Sequence, residues 1–359
     1  MKLSLIGLMS GTSTDGLDIA YCHFEEENGK VKGKLVHWES IVFEEDMKWQ
    51  LLNAHKLDGL SLTKLDRVFG TWCGIQVHKF LNLYPESNPV AIASHGHTIF
   101  HQPNEGLTLQ IGHGPSLAAA AGLPVINDFR SLDVAMGGQG APLVPIGDRD
   151  LFSEWDACLN LGGIANISFF KDTHWKAFDI CAVNLLLNPL ATRMGLGYDN
   201  EGSNAKKGKC LPELLEVLNS NEWFSIQGPK SLGREWIAQH QIPLLEKGNT
   251  LDLLNTCVEH IAIQISQIIM HHLSDGASIL VSGGGAYNLF LIERIQAHCP
   301  NHKIVRASNE IIEFKEAFIF AYLGYLRILG KPNGMAEVTG ASKDSVGGAI
   351  HGVIKLPFV

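Results

Sequence analysis

The chain has 359 residues, 45% of them hydrophobic and 18% charged; at roughly 150 residues per domain this predicts about two domains. That composition excludes intrinsic disorder, and a chain this long buries enough core to need no disulfide or metal staple. Lys and Arg number 28 against 37 Asp and Glu, a net charge of −9. Lys206-Lys207-Gly208-Lys209 is the only basic cluster, which argues against a nucleic-acid partner.

The seven cysteines are odd in number and form no C-x-x-C pair, so neither a disulfide framework nor a zinc site is indicated, as expected of a cytoplasmic protein. The N-terminal apolar run, Leu3 to Met9, is short and holds Ser4 and Gly7; it fits a strand before a turn better than a secretion signal. The 37 glycines show no Gly-X-Y period, so they belong to turns and close backbone approaches.

In chain order, Leu3–Leu8, the turn residues Ser10 to Gly16, and Leu17–Phe24 predict a hairpin, with Leu35–Phe43 as a third strand. Glu44–His55 predicts a helix. A second follows, with Thr63 as its cap and Leu65, Phe69, Trp72, Gln76 and Phe80 as its core face. Strands are predicted at Val90–Ala93, Leu107–Ile111 and Pro124–Ile126, with a short helix at Pro115–Ala121. The uncharged stretch Gly106 to Asn127 therefore reads as strand, turn, helix and strand rather than a membrane span. Asp133 to Pro145 is a Gly- and Pro-rich loop or domain crossing.

A second hairpin, Ala157–Leu161 and Ala165–Phe170 about a Gly162-Gly163 turn, is followed by a strand at Trp175–Phe178. Helices are expected at Val183–Met194, Pro212–Leu218, Leu251–Leu273, Tyr287–His298 and Phe314–Leu329. Strands are expected at Ile279–Val281 and Lys303–Arg306. Alternating strands and helices imply an α/β fold, and the hairpins imply mixed sheets. The order strand, glycine turn, strand, strand, helices occurs twice, about 150 residues apart, which suggests duplication.

Three glycine turns follow strands: Gly11 to Gly16, Gly162-Gly163, and Gly283-Gly284-Gly285. Glycine lets backbone N–H groups close on an anion, and three such turns together favour nucleotide phosphate binding over ordinary turns. Asp15, beside Thr12, Ser13 and Thr14, is either a carboxylate near a phosphate-bound Mg²⁺ or an Asx turn. Asp179, after a strand and before a helix, is either a general base at a strand's C-terminal end or a helix N-cap. His95 and His97 are a weak metal signal without a nearby carboxylate or Cys; hydrogen bonds to sugar or phosphate, or plain loop structure, fit better. Arg130 can fork onto a ligand anion or pair with Asp128 or Asp133.

Gly7-Leu8-Met9-Ser10-Gly11-Thr12-Ser13-Thr14-Asp15-Gly16-Leu17-Asp18 closely resembles the opening signature of the anhydro-N-acetylmuramic acid kinases. The resemblance recurs in Ser94-His95-Gly96-His97-Thr98, in Asn127-Asp128-Phe129-Arg130, and in Gly137 to Pro145. It continues in Asn160-Leu161-Gly162-Gly163-Ile164-Ala165-Asn166, in Gly283-Gly284-Gly285-Ala286-Tyr287-Asn288, and in Glu316-Ala317 before Phe320-Ala321. It covers nearly the whole chain.

The resemblance implies the acetate and sugar kinase/Hsp70/actin superfamily: two ribonuclease-H-like lobes, with mixed sheets flanked by helices, around a central cleft. The first lobe would be 1–125 plus 330–359, holding one phosphate turn and part of the sugar site. The second would be 126–329, with the other phosphate turn, the catalytic Asp and the nucleoside-side glycine turn. It implies a cytoplasmic homodimer that uses ATP and Mg²⁺, acts on a small anhydro sugar, and engages neither nucleic acid nor membrane. Asp179 matches the family's catalytic Asp and Glu316 a second acid. An ordinary Asp, with a pKa of about 3.9, is a feeble base; burial and a nearby like charge from Glu316 would raise it. Gly11 to Gly16, Gly162, Gly163 and Gly283 to Gly285 would hold nucleotide, Asp15 the metal, and His95, Asp128 and Arg130 the sugar.

The run Asp179-Ile180-Cys181-Ala182-Val183-Asn184 departs from the family, which usually has Gly-Pro where Cys181-Ala182 stands. The larger side chains are expected to close part of the sugar pocket or change the turn. His97, where many members have Gln, is a smaller departure. Two further readings are a kinase of another anhydro sugar, such as 1,6-anhydroglucose, and a non-catalytic ATP-gated binding protein.

Overall fold

The computed structural model describes residues 2–11, 14–225 and 232–356. The chain divides into two compact units: Met1–Leu151 with Phe314–Val359, and Phe152–Glu313.

The first unit opens with an antiparallel meander, β1 (Lys2–Ser10), β2 (Gly16–Glu27) and β3 (Lys30–Val42). Helices α1 (Glu45–Asn53) and α2 (Gly59–Leu83) follow. Helix α2 starts earlier than the sequence suggests. Asp58, not Thr63, is its cap, and its carboxylate accepts the N–H groups of Leu60 (2.9 Å) and Ser61 (3.0 Å). Thr63 instead donates its hydroxyl to the carbonyl of Gly59, inside the first turn. Phe69, Val77 and Phe80 of α2 pack with Ile6, Leu8 and Ile19 of the sheet, so the apolar period seats this helix as expected.

Next come β4 (Ala91–Gln102), β5 (Leu107–Ile111), α3 (Gly114–Ala121) and β6 (Val125–Asn127). β4 lies parallel to β1 and β6. It runs straight through Ser94 to Thr98, with Gly96 at φ +76°. Part of the expected Gly- and Pro-rich loop is helical, as α4 (Ser131–Ala135) and α5 (Pro145–Leu151).

The second unit repeats the plan. β7 (Ala157–Leu161), β8 (Ile164–Lys171) and β9 (His174–Ala182) form an antiparallel meander. Then come α6 (Asn184–Thr192), α7 (Pro212–Asn219), α8 (Arg234–His240), α9 (Thr250–His272), β10 (Ser278–Ser282), α10 (Leu289–His298) and β11 (Lys303–Arg306). Its sheet order is β11-β10-β7-β8-β9, the counterpart of β6-β4-β1-β2-β3 in the first unit. The suggested duplication is therefore carried by topology. Both units are ribonuclease-H-like. Helix α9 has the length and apolarity of a membrane span, yet most of it is buried against α6, α7, α10 and β9.

The chain returns to the first unit along α11 (Asn309–Ile328), within which the division falls, and ends with β12 (Ala349–His351) beside β6. The divisions lie at 151/152 and 313/314 rather than at 125/126 and 329/330. The cause is pairing: β6 is hydrogen-bonded to β4, which keeps the following segment with the first unit. Phe318, Tyr322 and Tyr325 of α11 pack on Phe24 of β2, which keeps most of that helix there too. Contact is closest at Gly7, where any Cβ would overlap the carbonyl of Ala317. A glycine is required there by space.

Candidate active site

In the second unit, β10 lies parallel to β7 with Ser282 opposite Asn160. The glycine turns that follow these strands therefore emerge side by side. The Gly162-Gly163 turn directs its carbonyls at the start of α6, accepting N–H groups from Val183 (2.8 Å), Asn184 (3.3 Å) and Leu185 (3.2 Å). Gly283 has φ +78°, and a Cβ there would strike the side chain of Asn160. A Cβ on Gly285 would lie 2.7 Å from that of Leu161. This turn lies flat on the end of β7, in a form only glycine permits.

A cavity of about 660 Å³ opens beside Gly284 and Gly285, lined also by Asn184, Asp199, Tyr287 and Arg306. The Arg306 guanidinium sits 4.9 Å from the Tyr287 ring centre. Its Nε donates to the Ala286 carbonyl (3.1 Å) and an Nη to Asn309 Oδ1 (2.6 Å). The Tyr287 hydroxyl donates to Glu313 at 2.6 Å; burial and then that carboxylate push its pKa up to about 12. Sequence reading gave Arg306 and Glu313 no role. The available signal was an Arg at the C-terminal end of a parallel strand, where α/β sheets bind ligands.

Asp179 lies within β9, not at its end. It pairs with Asn166, while the next pair is Cys181 with Ala165, so Ile180 is the extra residue of a β-bulge. Bulges re-aim neighbouring side chains. The N-cap of α6 is Val183, which excludes the capping role for Asp179. Its Oδ2 instead accepts the N–H of Leu232 at 2.9 Å.

In the first unit, the turn after β1 keeps a Thr14 N–H bond to the Gly11 carbonyl (3.1 Å), with Thr14 at φ +56°. Thr12 and Ser13 lie outside the described residues. The Asp15 carbonyl accepts from Phe43 N–H (3.3 Å), and its side chain is exposed. Gly16 runs so close to β3 that a Cβ would meet the Ile41 carbonyl at 2.6 Å.

His95, on β4, is buried, and its Nδ1 donates to the Gly96 carbonyl (2.9 Å). That leaves Nε2 as an acceptor, which Arg130 fills from Nε (3.2 Å) and an Nη (2.9 Å). The other Nη donates to the Gly140 carbonyl at 2.6 Å. Burial first, and then Arg130, holds the His95 pKa far below the usual imidazole range, so the ring is neutral. Burial also lowers Arg130 to about 10, against the opposing charges of Glu316 and Asp133.

Neither expected ion pair of Arg130 forms. Asp133 takes the Thr339 hydroxyl and the Gly140 N–H, both at 2.7 Å. Asp128, exposed and at φ +58°, accepts the Ser131 N–H at 3.2 Å. Glu316, on α11, keeps exposed surface, yet desolvation by the surrounding protein raises its pKa, with Arg130 and Lys315 pulling the other way. The structure thus gathers His95, Arg130 and Glu316 into one electrostatic cluster and leaves Asp128 on the turn that leads to it.

A family model described as anhydro-N-acetylmuramic acid kinase matches residues 3–352. The chain belongs to this family. Anhydro-N-acetylmuramic acid kinases from Aliivibrio fischeri, Pseudomonas syringae pv. tomato and Crocosphaera subtropica are 35%, 34% and 34% identical to it. The alignments cover 96%, 98% and 96% of this chain and 98%, 100% and 98% of those proteins. It is accordingly an enzyme of the sugar-kinase type.

Cys181 and Ala182, the departure from the family's usual Gly-Pro pair, fall inside β9. Both side chains are fully buried at the end of β9, paired with Ala165 and Ile164. The strand continues to Ala182 where a Gly-Pro pair would interrupt it. His97 is also buried, with Nδ1 2.9 Å from the Ser10 hydroxyl. Among the described residues, no group of three or more His, Cys, Asp or Glu is arranged to hold a metal on its own.

Proposed function

We propose that this enzyme uses ATP to open 1,6-anhydro-N-acetylmuramic acid and phosphorylate its 6-oxygen. The products are N-acetylmuramic acid 6-phosphate and ADP, with one water consumed. The reading is supported most directly by the family match along residues 3–352; by the sequence resemblance, Asp179 and Glu316 stand where the family has its two acids.

The chemistry sets the roles. The anhydro bridge leaves no free 6-hydroxyl, so a water must attack the anomeric carbon, and the departing oxygen 6 must attack the γ-phosphate. Asp179, the carboxylate that the resemblance places in the base position, takes the proton of the water. Glu316, Arg130 and neutral His95 hold sugar and water. Asp128 orients the turn that carries Arg130. The Gly11–Gly16 and Gly162-Gly163 turns cradle phosphates with backbone N–H groups, and Gly283 to Gly285 border the nucleoside.

The glycine cradle and the roughly 660 Å³ cavity fit a nucleotide. The exposed Asp15 carboxylate fits Mg²⁺ held chiefly by phosphate oxygens and water, which would supply charge neutralisation for phosphoryl transfer. The setting is cytoplasmic recycling of cell-wall sugar by a homodimer.

The test is product mass after incubation with ATP, Mg²⁺ and the sugar in heavy-oxygen water. A product with one phosphate and one heavy oxygen on the sugar is expected. Turnover of 1,6-anhydroglucose alone would replace the substrate, and no sugar phosphate from any anhydro sugar would overturn the reaction. Arg130→Lys is expected to lower kcat/KM for the sugar more than tenfold. A lysine cannot reproduce the forked grip on His95 and Gly140, and nucleotide affinity, measured by calorimetry, should not move.

A further inference from the structure

Leu232 belongs to no helix or strand, and its N–H group is spent on Asp179 at 2.9 Å, 53 residues back along the chain. Leu232 is buried and Asp179 half-buried, so the bond is partly shielded from solvent. Helix α8, which begins two residues after Leu232, is tied at its far end to a side chain of α9. His260 is fully buried and its Nδ1 donates to Asn219 Oδ1 at 2.7 Å. Its Nε2 lies 3.3 Å from the Gln241 side-chain amide nitrogen, which donates to it. Asn219 ends α7 and Gln241 follows α8. Gln264 also donates to Asn219 (2.8 Å), and the Phe224 ring packs edge-on to His260 at 5.2 Å.

A carboxylate beside a β-bulge has rotamer freedom that the strand alone does not remove. A bond from a backbone N–H to one of its oxygens restricts that freedom. We infer that the Leu232 backbone N–H is a positioning group for Asp179, held in place by α8, which Gln241 ties to His260. The inference rests on the proposed role of Asp179 as base.

The test replaces Leu232 by its α-hydroxy acid analogue in the full-length enzyme, which turns the amide into an ester and removes only the N–H. Hydrogen bonds to charged groups predict a fall in kcat of about tenfold or more. The dissociation constant for ADP and the melting temperature are expected to stay near their original values. Leu232→Ala, which keeps the N–H and trims the side chain, is expected to retain several times more kcat than the ester. An ester with full kcat, or a Leu232→Ala enzyme that loses as much as the ester, overturns the inference. Asp179→Asn run alongside separates the two levels. If it is inactive while the ester is fully active, only the positioning role fails. If it turns over normally, the base assignment fails and this inference with it.

Discussion

Asp179→Asn is expected to abolish sugar phosphorylation and leave nucleotide binding intact. A carboxamide cannot take a proton from water, and a positioned general base contributes about 10²–10⁴ in rate. The substitution preserves volume, and its amide oxygen can still accept the Leu232 N–H, so β9 should be undisturbed. The nucleotide-sized cavity of the same unit is lined by residues of α6, the Gly283–Gly285 turn, β11 and α11, and Asp179 is not among them. A loss of kcat of at least 10³, with an ADP dissociation constant within twofold, is the expected pair of results. Calorimetry and a coupled ADP-release assay measure them. Turnover within tenfold of the unsubstituted enzyme would remove Asp179 from the base role. It would also bring forward the reading of the chain as an ATP-gated binding protein.

What the sequence shows of this enzyme depends on the range of the interaction. Hairpins about Gly11–Gly16 and Gly162-Gly163 are local, and both were readable from apolar runs broken by turn residues. The core face of α2 was readable from its period, but its start was not. Thr63 and Asp58 are both capping residues, and only the structure shows which one has free N–H groups ahead of it. Asp179 was found by its place after a strand, yet the strand runs three residues past it because the bulge at Ile180 lets pairing resume. No local pattern marks a bulge made of apolar residues. The domain divisions were displaced for the same reason: β6 is three residues long, and only its pairing with β4 says to which sheet it belongs. Arg130 was singled out, but its partner was sought among neighbouring Asp residues. The partner is His95, 35 positions away, brought close by the parallel β4–β6 pairing. Leu232 and His260 carry no motif at all. An amide N–H and a core histidine acquire meaning only when the fold sets them against Asp179 and against each other's segment.

Mild acid is expected to destabilise both units before their carboxylates titrate. His97 in the first unit and His260 in the second are buried as neutral rings, with pKa values lowered by that burial to about 4 and about 3. His95 is lowered further still, by burial and then Arg130. In the unfolded chain each returns to an ordinary value of about 6.5. Between these values the unfolded chain binds more protons than the folded one, so stability is fully present above pH 6.5 and falls as the pH drops toward 4. At pH 5 the loss is about 2 kcal/mol for each fully buried ring, against total stabilities of about 5–15 kcal/mol. For units of this size each such ring lowers the melting temperature by roughly 4–8 °C between pH 7.5 and 5. Protonation of exposed histidines reduces the net charge of −9 and works in the opposite direction, so the measured fall is a lower bound on the buried contribution. His97→Gln isolates one ring. Glutamine can still bond the Ser10 hydroxyl and does not titrate, so the pH dependence of the first unit should shrink while that of the second persists. A melting temperature that stays flat from pH 7.5 to 5, followed by calorimetry, would mean that these rings are not held neutral in the folded chain.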